Sequence, residues 1–223
     1  MRPGKFITFE GASGTGKSSH AELLAQRPRA LGIGVVLTRE PGGSPGAEII
    51  RHVLLSGAAE PLGPDAEAIL FAAARDDHVG STIKPALAQG RWVISDRFID
   101  STRVYQGALG KVDLKLIYFL EKITVGELKP DLTFVLDAPA EVGLARAKKR
   151  RGEGRADRFE GESLEFHQKL REAYRALAAR EADRCVVIDT TEPRVKVAME
   201  IWTIVSQRLD PAMAPVELAG AAS

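Results

Sequence analysis

Short apolar runs recur along the chain, separated by longer stretches in which apolar residues return every three or four positions. Phe6-Ile7-Thr8-Phe9, Val35-Val36-Leu37, Trp92-Val93-Ile94, Leu132-Thr133-Phe134-Val135-Leu136 and Cys185-Val186-Val187-Ile188 are too short for helices and rich in β-branched and aromatic residues. They predict buried strands over 5–10, 32–38 (with its leading turn), 91–95, 131–137 and 185–189. The periodic stretches predict helices between them. Ile49, Ile50, Val53 and Leu54 fall on one face of a helix over 47–55. Further helices are expected over 17–31, 65–88, 101–106, 114–128, onward from 139, over 163–182 and over 193–208. Pro28 is expected to end or kink the first of these. Asp65 is expected to cap the long one and Gly90 to close it, and Pro139 suits a first helical turn. Strands alternating with helices make an α/β fold, a five-stranded parallel sheet wound with helices on both faces. No repeat or linker divides the chain, so one domain is expected over 1–209. Residues 210–223, rich in Ala and Pro, read as a disordered tail.

Composition narrows the function rather than the fold. The 223 residues suffice for one α/β domain and are few for two. Thirty-one basic against thirty acidic residues leave a net charge of +1, so a nucleic-acid partner is not expected. Cys185 is the single cysteine, which excludes a disulfide framework and a cysteine metal site and suggests a buried, inert thiol. Without a long apolar run or a leader-like N-terminus, no membrane partner is expected and the cytoplasm is the expected location.

The firmest chemistry lies just after the first strand. Gly11, Ala12, Ser13, Gly14, Thr15, Gly16, Lys17 and Ser18 spell GxxxxGK[ST] between a strand and a helix. That is the context of a phosphate-binding P-loop. Glycines let successive N–H groups turn inward around an anion, and the new helix aims its positive end at it. Lys17 is suited to the β- and γ-phosphates of ATP, and the Ser18 hydroxyl to Mg²⁺.

Other candidates are weaker alone. Asp96 and Arg97 end the third strand, where Asp96 could hold Mg²⁺ or its water and Arg97 could bridge two phosphates; a structural ion pair is the alternative. Phe71 and Arg75 share a helical face, but the spacing by itself favours a core ring and a surface guanidinium over a base cage. The segment 148–158 carries Lys148, Lys149, Arg150, Arg151, Arg155 and Arg158 around two glycines. It reads as a solvated turn more readily than as a phosphate clamp. His20, His52, His78 and His167 are scattered and read as surface or packing residues. There is no NKxD-like guanine motif.

With these residues in view, the chain resembles bacterial thymidylate kinases, collinearly from Phe6 to about Leu209. FxxFEGxxGxGKS, TREPGG at 38–43, LFAAAR at 70–75, DRFxDSTxxYQG at 96–107, PDLTFVLD at 130–137, DRFE at 157–160 and VVIDTT at 186–191 follow in the family's order. The resemblance implies a P-loop NTPase fold with a short lid at about 148–159, and ATP-dependent phosphorylation of dTMP to dTDP. It implies that Phe71 stacks on thymine, Arg75 contacts its edge, and Thr102 and Gln106 lie beside it. Tyr105 would lie beneath the sugar. Arg97 would hold the dTMP phosphate near ATP, helped by Arg39 and Arg51. The P-loop carries no charge at its variable positions, which implies a lid arginine at the transferring phosphoryl, Arg151 or Arg155. The family commonly carries an acidic residue where Ser13 stands, so weaker acceptor binding or altered sugar selectivity is expected here. Phe98 replaces the commoner Tyr or His. A homodimer is also implied. The alternatives are another nucleoside monophosphate kinase, or a non-catalytic nucleotide-binding homologue.

Overall fold

The computed structural model describes residues 3–152, 154 and 158–210. Among them, five strands form one parallel sheet: β1 (Phe6–Glu10), β2 (Val35–Arg39), β3 (Trp92–Asp96), β4 (Leu132–Asp137) and β5 (Cys185–Asp189), in the order β2-β3-β1-β4-β5. The chain therefore reverses direction across the sheet on either side of β1. That switch is where ligands bind in open α/β sheets. The register sets Phe9 of β1 beside Asp96 of β3 and Glu10 beside Val135 of β4. The carboxyl ends of β1 and β3 are thus adjacent.

Both faces of the sheet are covered. Ile7 and Phe9 of β1 point to one side, where they pack with Leu24 of α1 (Lys17–Ala30) and Ile201, Trp202 and Val205 of α9 (Arg194–Leu209). Phe6 points to the other side, with Val93, Phe98 and Ile83. Thr8 is buried as well, bonded to Thr133 across the strands at 2.8 Å. Val135 packs there with Leu170 and Tyr174 of α8 (Leu164–Arg180). No helix among the described residues is long and apolar enough to cross a membrane.

The helices depart from the sequence reading in six places. Helix α1 runs through Pro28 to Ala30. The proline sits in the last turn, where only one carbonyl loses its donor and little helix remains to be disrupted. α2 (Pro45–Leu55) starts earlier, on Pro45. α3 (Pro64–His78) is preceded by Gly63, without a side-chain cap; Pro64 takes the first position and Asp65 lies in the first turn, complementing the helix dipole. The expected helix to residue 88 is interrupted by a π-helical turn, Val79–Ile83, before α4 (Lys84–Ala88). Pro85 cannot donate to the carbonyl four residues back, which favours a local change of bonding. Similarly, α5 (Ile99–Thr102) continues as a π-helical stretch, Arg103–Leu109. α6 (Leu114–Thr124) stops short of 128, ahead of Gly126 with φ +65°.

α7 (Ala140–Arg151) includes Lys148 to Arg151 in its last turn, so the first four residues of the basic segment are helical. The remaining lid call on Arg155, and the tail beyond Asp210, lie outside the described residues. Cys185 is buried, and burial pushes its thiol up to about 12, leaving it unreactive at neutral pH.

Candidate active site

The P-loop is built by backbone geometry. Gly11, Gly14 and Gly16 have φ of +128°, +76° and +94°, values that L side chains rarely adopt. Thr15 fastens the loop on itself, its hydroxyl donating to the Ala12 carbonyl at 2.9 Å. Gly14 lies against α7: a Cβ there would come within 1.9 Å of the Gly143 carbonyl. A Cβ on Gly143 would in turn meet the Ser13 carbonyl at 2.7 Å. Gly143, unremarked in the sequence, is what lets α7 support the loop.

Lys17 is buried and donates to the Ala12 carbonyl at 2.8 Å. Burial, reinforced by the Arg97 guanidinium, lowers its pKa to about 7. Ser18 is exposed, and its hydroxyl donates to Oδ2 of Asp96 in a short hydrogen bond. The contact follows from the β1–β3 register and gives two oxygen donors side by side.

Arg97 follows in a conformation rare for a non-glycine residue, φ +74°, at a cost of about 1–3 kcal/mol. It is held there from both sides. Its N–H donates to the Phe9 carbonyl at 2.9 Å, and its carbonyl accepts from the Ser95 hydroxyl at 2.8 Å. The bend turns the guanidinium over the Tyr105 ring, 5.2 Å from its centroid. Nη1 donates to Ser101 Oγ at 3.1 Å and to the Tyr174 hydroxyl at 3.3 Å, and Nη2 to the Tyr105 hydroxyl at 3.3 Å. Behind this arrangement lies Glu10, fully buried at the end of β1. Its carboxylate accepts from the Phe98 N–H at 2.7 Å, the Ser101 hydroxyl at 2.7 Å and the Tyr174 hydroxyl at 3.1 Å. Burial, with the nearby Asp100 charge, pushes Glu10 up to about 7, against the opposing pull of Ser101 and Arg97. Glu10, Ser101 and Tyr174 were not singled out by sequence; their convergence depends on residues 164 positions apart.

These groups open into one cleft of about 320 Å³. Ser13, Gly14, Lys17 and Ser18 of the P-loop, Asp96 and Arg97, Phe71, Thr102, Tyr105 and Gln106, and Arg39 and Arg51 all line it. Arg39 is exposed and paired with Glu48, 3.1 Å from Oε1, while Arg51 donates to the Pro41 carbonyl. Arg75 is buried behind the cleft, its Nε donating to Glu40 at 2.8 Å and its Nη2 to the Thr102 hydroxyl at 3.0 Å. The expectation of a surface guanidinium from helical spacing alone is therefore corrected: Arg75 is buried, with Glu40, the Phe98 carbonyl and Thr102 as its partners.

The cleft is partly roofed from the lid side. Phe159 packs edge-on to Tyr105 at 5.3 Å and near Phe71 at 6.1 Å. Arg158 stacks on Phe159 and pairs with Glu67 of α3 at 2.9 Å. Arg150 and Glu160 line the cleft and are paired with each other. Arg151 bonds Glu160 at 3.0 Å but does not line the cleft. Of the arginines in the described lid, it is Arg150 that reaches it.

The thymidylate kinase family model matches residues 9–201. The chain is similar to the thymidylate kinase of Bradyrhizobium diazoefficiens, 58% identical over 213 residues that make up 96% of this chain and 93% of the other. It is equally similar to that of Nitrobacter winogradskyi, 58% identical over 205 residues, 92% of this chain and 89% of the other. Among solved structures, thymidylate kinase from Ehrlichia chaffeensis matches with a TM-score of 0.73 at 34% identity, covering 92% of this chain and 99% of that one.

Proposed function

The chain belongs to the thymidylate kinase family and phosphorylates dTMP to dTDP, and on that premise we propose how its own residues divide the work. The observation that carries the proposal is that one cleft is lined both by the phosphate loop and by Phe71, Thr102, Tyr105 and Gln106.

The triphosphate of ATP sits on the inward N–H groups of residues 11–18, with Lys17 released from the Ala12 carbonyl to meet the β- and γ-phosphates. Phe71 stacks on thymine, and Arg75, Thr102 and Gln106 surround its polar edge. Tyr105, under the sugar, crowds the position of a ribose 2′-OH. The acceptor phosphate falls between Arg97 and the P-loop, and Arg39 and Arg51 steady its outer side. Ser13 offers a hydroxyl to the sugar 3′-OH without an acidic residue's charge.

Ser18 and Asp96 fit a hard cation, because a hydroxyl and a carboxylate oxygen already converge beside the phosphate loop. They would hold Mg²⁺, which when bound neutralises phosphate charge. The acceptor phosphate is already ionised, so no strong general base is required. Arg97, locked by Ser101, Tyr105 and Tyr174, supplies fixed positive charge where charge shifts during in-line transfer, with no reorganisation at the moment of reaction. Arg150, together with Arg151 and Arg155, forms the cationic lid; its closure over Phe159 excludes water that would otherwise hydrolyse ATP. The protein acts as a homodimer, with apolar faces of α2, α3 and α6 as the contact.

The purified protein with Mg–ATP is expected to convert dTMP to dTDP in preference to other nucleoside monophosphates. Arg97→Met should lower kcat by roughly a hundredfold or more with ATP affinity largely kept. ATP binding without any dTDP would instead support a non-catalytic homologue.

A further inference from the structure

Behind the pocket wall, two buried side chains, His78 and Glu40, have no part in the proposed reaction yet are bonded to Arg75, which does. His78, at the end of α3, has no solvent exposure. Its Nδ1 lies 3.0 Å from Glu40 Oε1, and its Nε2 lies 2.7 Å from the Thr38 hydroxyl. Glu40 accepts from Arg75 Nε at 2.8 Å through its other oxygen. Arg75 Nη2 donates to the Phe98 carbonyl at 3.2 Å and to Thr102 Oγ1 at 3.0 Å. A carboxylate can only accept, so Nδ1 carries the proton facing Glu40.

We propose that His78 and Glu40 are positioning residues that aim Arg75 at the nucleobase and so set the preference for thymine over cytosine. A guanidinium is planar, so fixing Nε and Nη2 fixes the direction of Nη1, which has no partner among the described residues. Glu40 is itself held by the imidazole on its other oxygen, and cannot rotate away from Arg75 without leaving Nδ1 of His78 unpaired. Glu40 and Thr102 both line the cleft, so the guanidinium is clamped within its wall. Thymine presents a carbonyl oxygen where cytosine presents an amino group. A donor held in one direction favours the first and leaves the second facing an unpaired donor, the kind of mismatch that discriminates strongly. Gly43 leaves room for the relay: a Cβ there would lie 2.3 Å from Thr38 Oγ1 and 2.5 Å from His78 Nε2.

The inference rests on the assignment of Arg75 to the base edge, and its test separates the two. kcat/KM is measured for dTMP, dCMP and dUMP with the parent protein and with His78→Leu, His78→Asn and Arg75→Met. His78→Leu keeps the bulk and removes both hydrogen bonds. The expected result is a fall of about tenfold or more in the dTMP-to-dCMP ratio, as for loss of a hydrogen bond to a charged group. The dTMP-to-dUMP ratio should stay at the parent value, because uracil and thymine share the same carbonyl. His78→Asn, which keeps a donor toward Glu40, should recover most of the discrimination. A dTMP-to-dCMP ratio unchanged in His78→Leu but lost in Arg75→Met overturns the relay. A ratio unchanged in both overturns the base-edge assignment as well. Equal falls in both ratios would mean general loosening of the pocket, and would also overturn it. Should His78→Leu fail to fold, Glu40→Gln, which weakens the acceptor without changing shape, carries the same comparison.

Discussion

Lys17 shows how one buried charge links binding to pH. In the free protein its ammonium is held near neutrality by burial and by Arg97. A lysine whose folded pKa lies below its ordinary value of 10.5 disfavours folding while charged, so this group's contribution to stability rises with pH between about 7 and 10.5. Phosphate oxygens brought against it reverse the balance and favour the ammonium. ATP binding near and above pH 7 should therefore take up a proton, and affinity should weaken as pH rises past that point. Calorimetry in buffers of different ionisation enthalpy reads the uptake directly. Lys17→Gln, with no titrating group, should lose it; an uptake identical to the parent's would assign the proton elsewhere. Arg97 presents a different residue-scale lesson. Its positive φ is stored strain, and the backbone bonds to Phe9 and Ser95 keep it in place.

Among elements, the P-loop and α7 are one device. The loop's turn brings Gly14 and the Ser13 carbonyl onto the first turns of α7 at distances only hydrogen atoms tolerate. Gly143→Ala should push the loop outward while barely disturbing the rest of the helix, where alanine is the better former. The expected outcome is a rise in KM for ATP of about tenfold, worth about 1.4 kcal/mol, with KM for dTMP nearly unchanged. Steady-state kinetics with each substrate varied in turn would show it. The segment after β2 is clamped in a comparable way. Asp77 of α3 accepts from Ser44 at 2.6 Å and from the Ala47 N–H at 3.0 Å, fastening the start of α2. Three residues near the end of α3 thus hold the segment between β2 and α2: Arg75 and His78 through Glu40, and Asp77 through Ser44 and Ala47.

At the scale of the whole molecule, half of the large apolar side chains exposed among the described residues lie on three helices, α2, α3 and α6. Ile49 of α2, Ile69 of α3 and Leu114, Tyr118, Phe119 and Ile123 of α6 are all at least half exposed. Single exposed apolar residues are ordinary, but a cluster on helices that pack on one another marks an interaction surface. The proposed homodimer would bury it. Sedimentation should give a dimer for the parent protein, and Tyr118→Glu with Ile123→Glu should shift it to monomer with the fold intact by circular dichroism. A parent protein that sediments as a monomer at micromolar concentration would refute this assembly.

What the sequence determined by itself is what contiguous residues enforce. Apolar runs specified the strands, because a buried parallel strand needs little more than its own composition. Glycine spacing specified the P-loop, because the required φ values exclude other residues. The ordered family blocks then pointed to the acceptor. Tertiary structure decided how side chains converge. The register of β1 against β3 sets Phe9 beside Asp96 and so brings Ser18 to Asp96, and no local pattern encodes that pairing. Glu10 and Tyr174 meet across most of the chain behind Arg97, and His78, unexceptional in sequence, becomes a partner of Glu40 only when the end of α3 is brought to the segment after β2. Buried polar groups need partners wherever the fold supplies them, so their roles are fixed by packing and not by spacing along the chain.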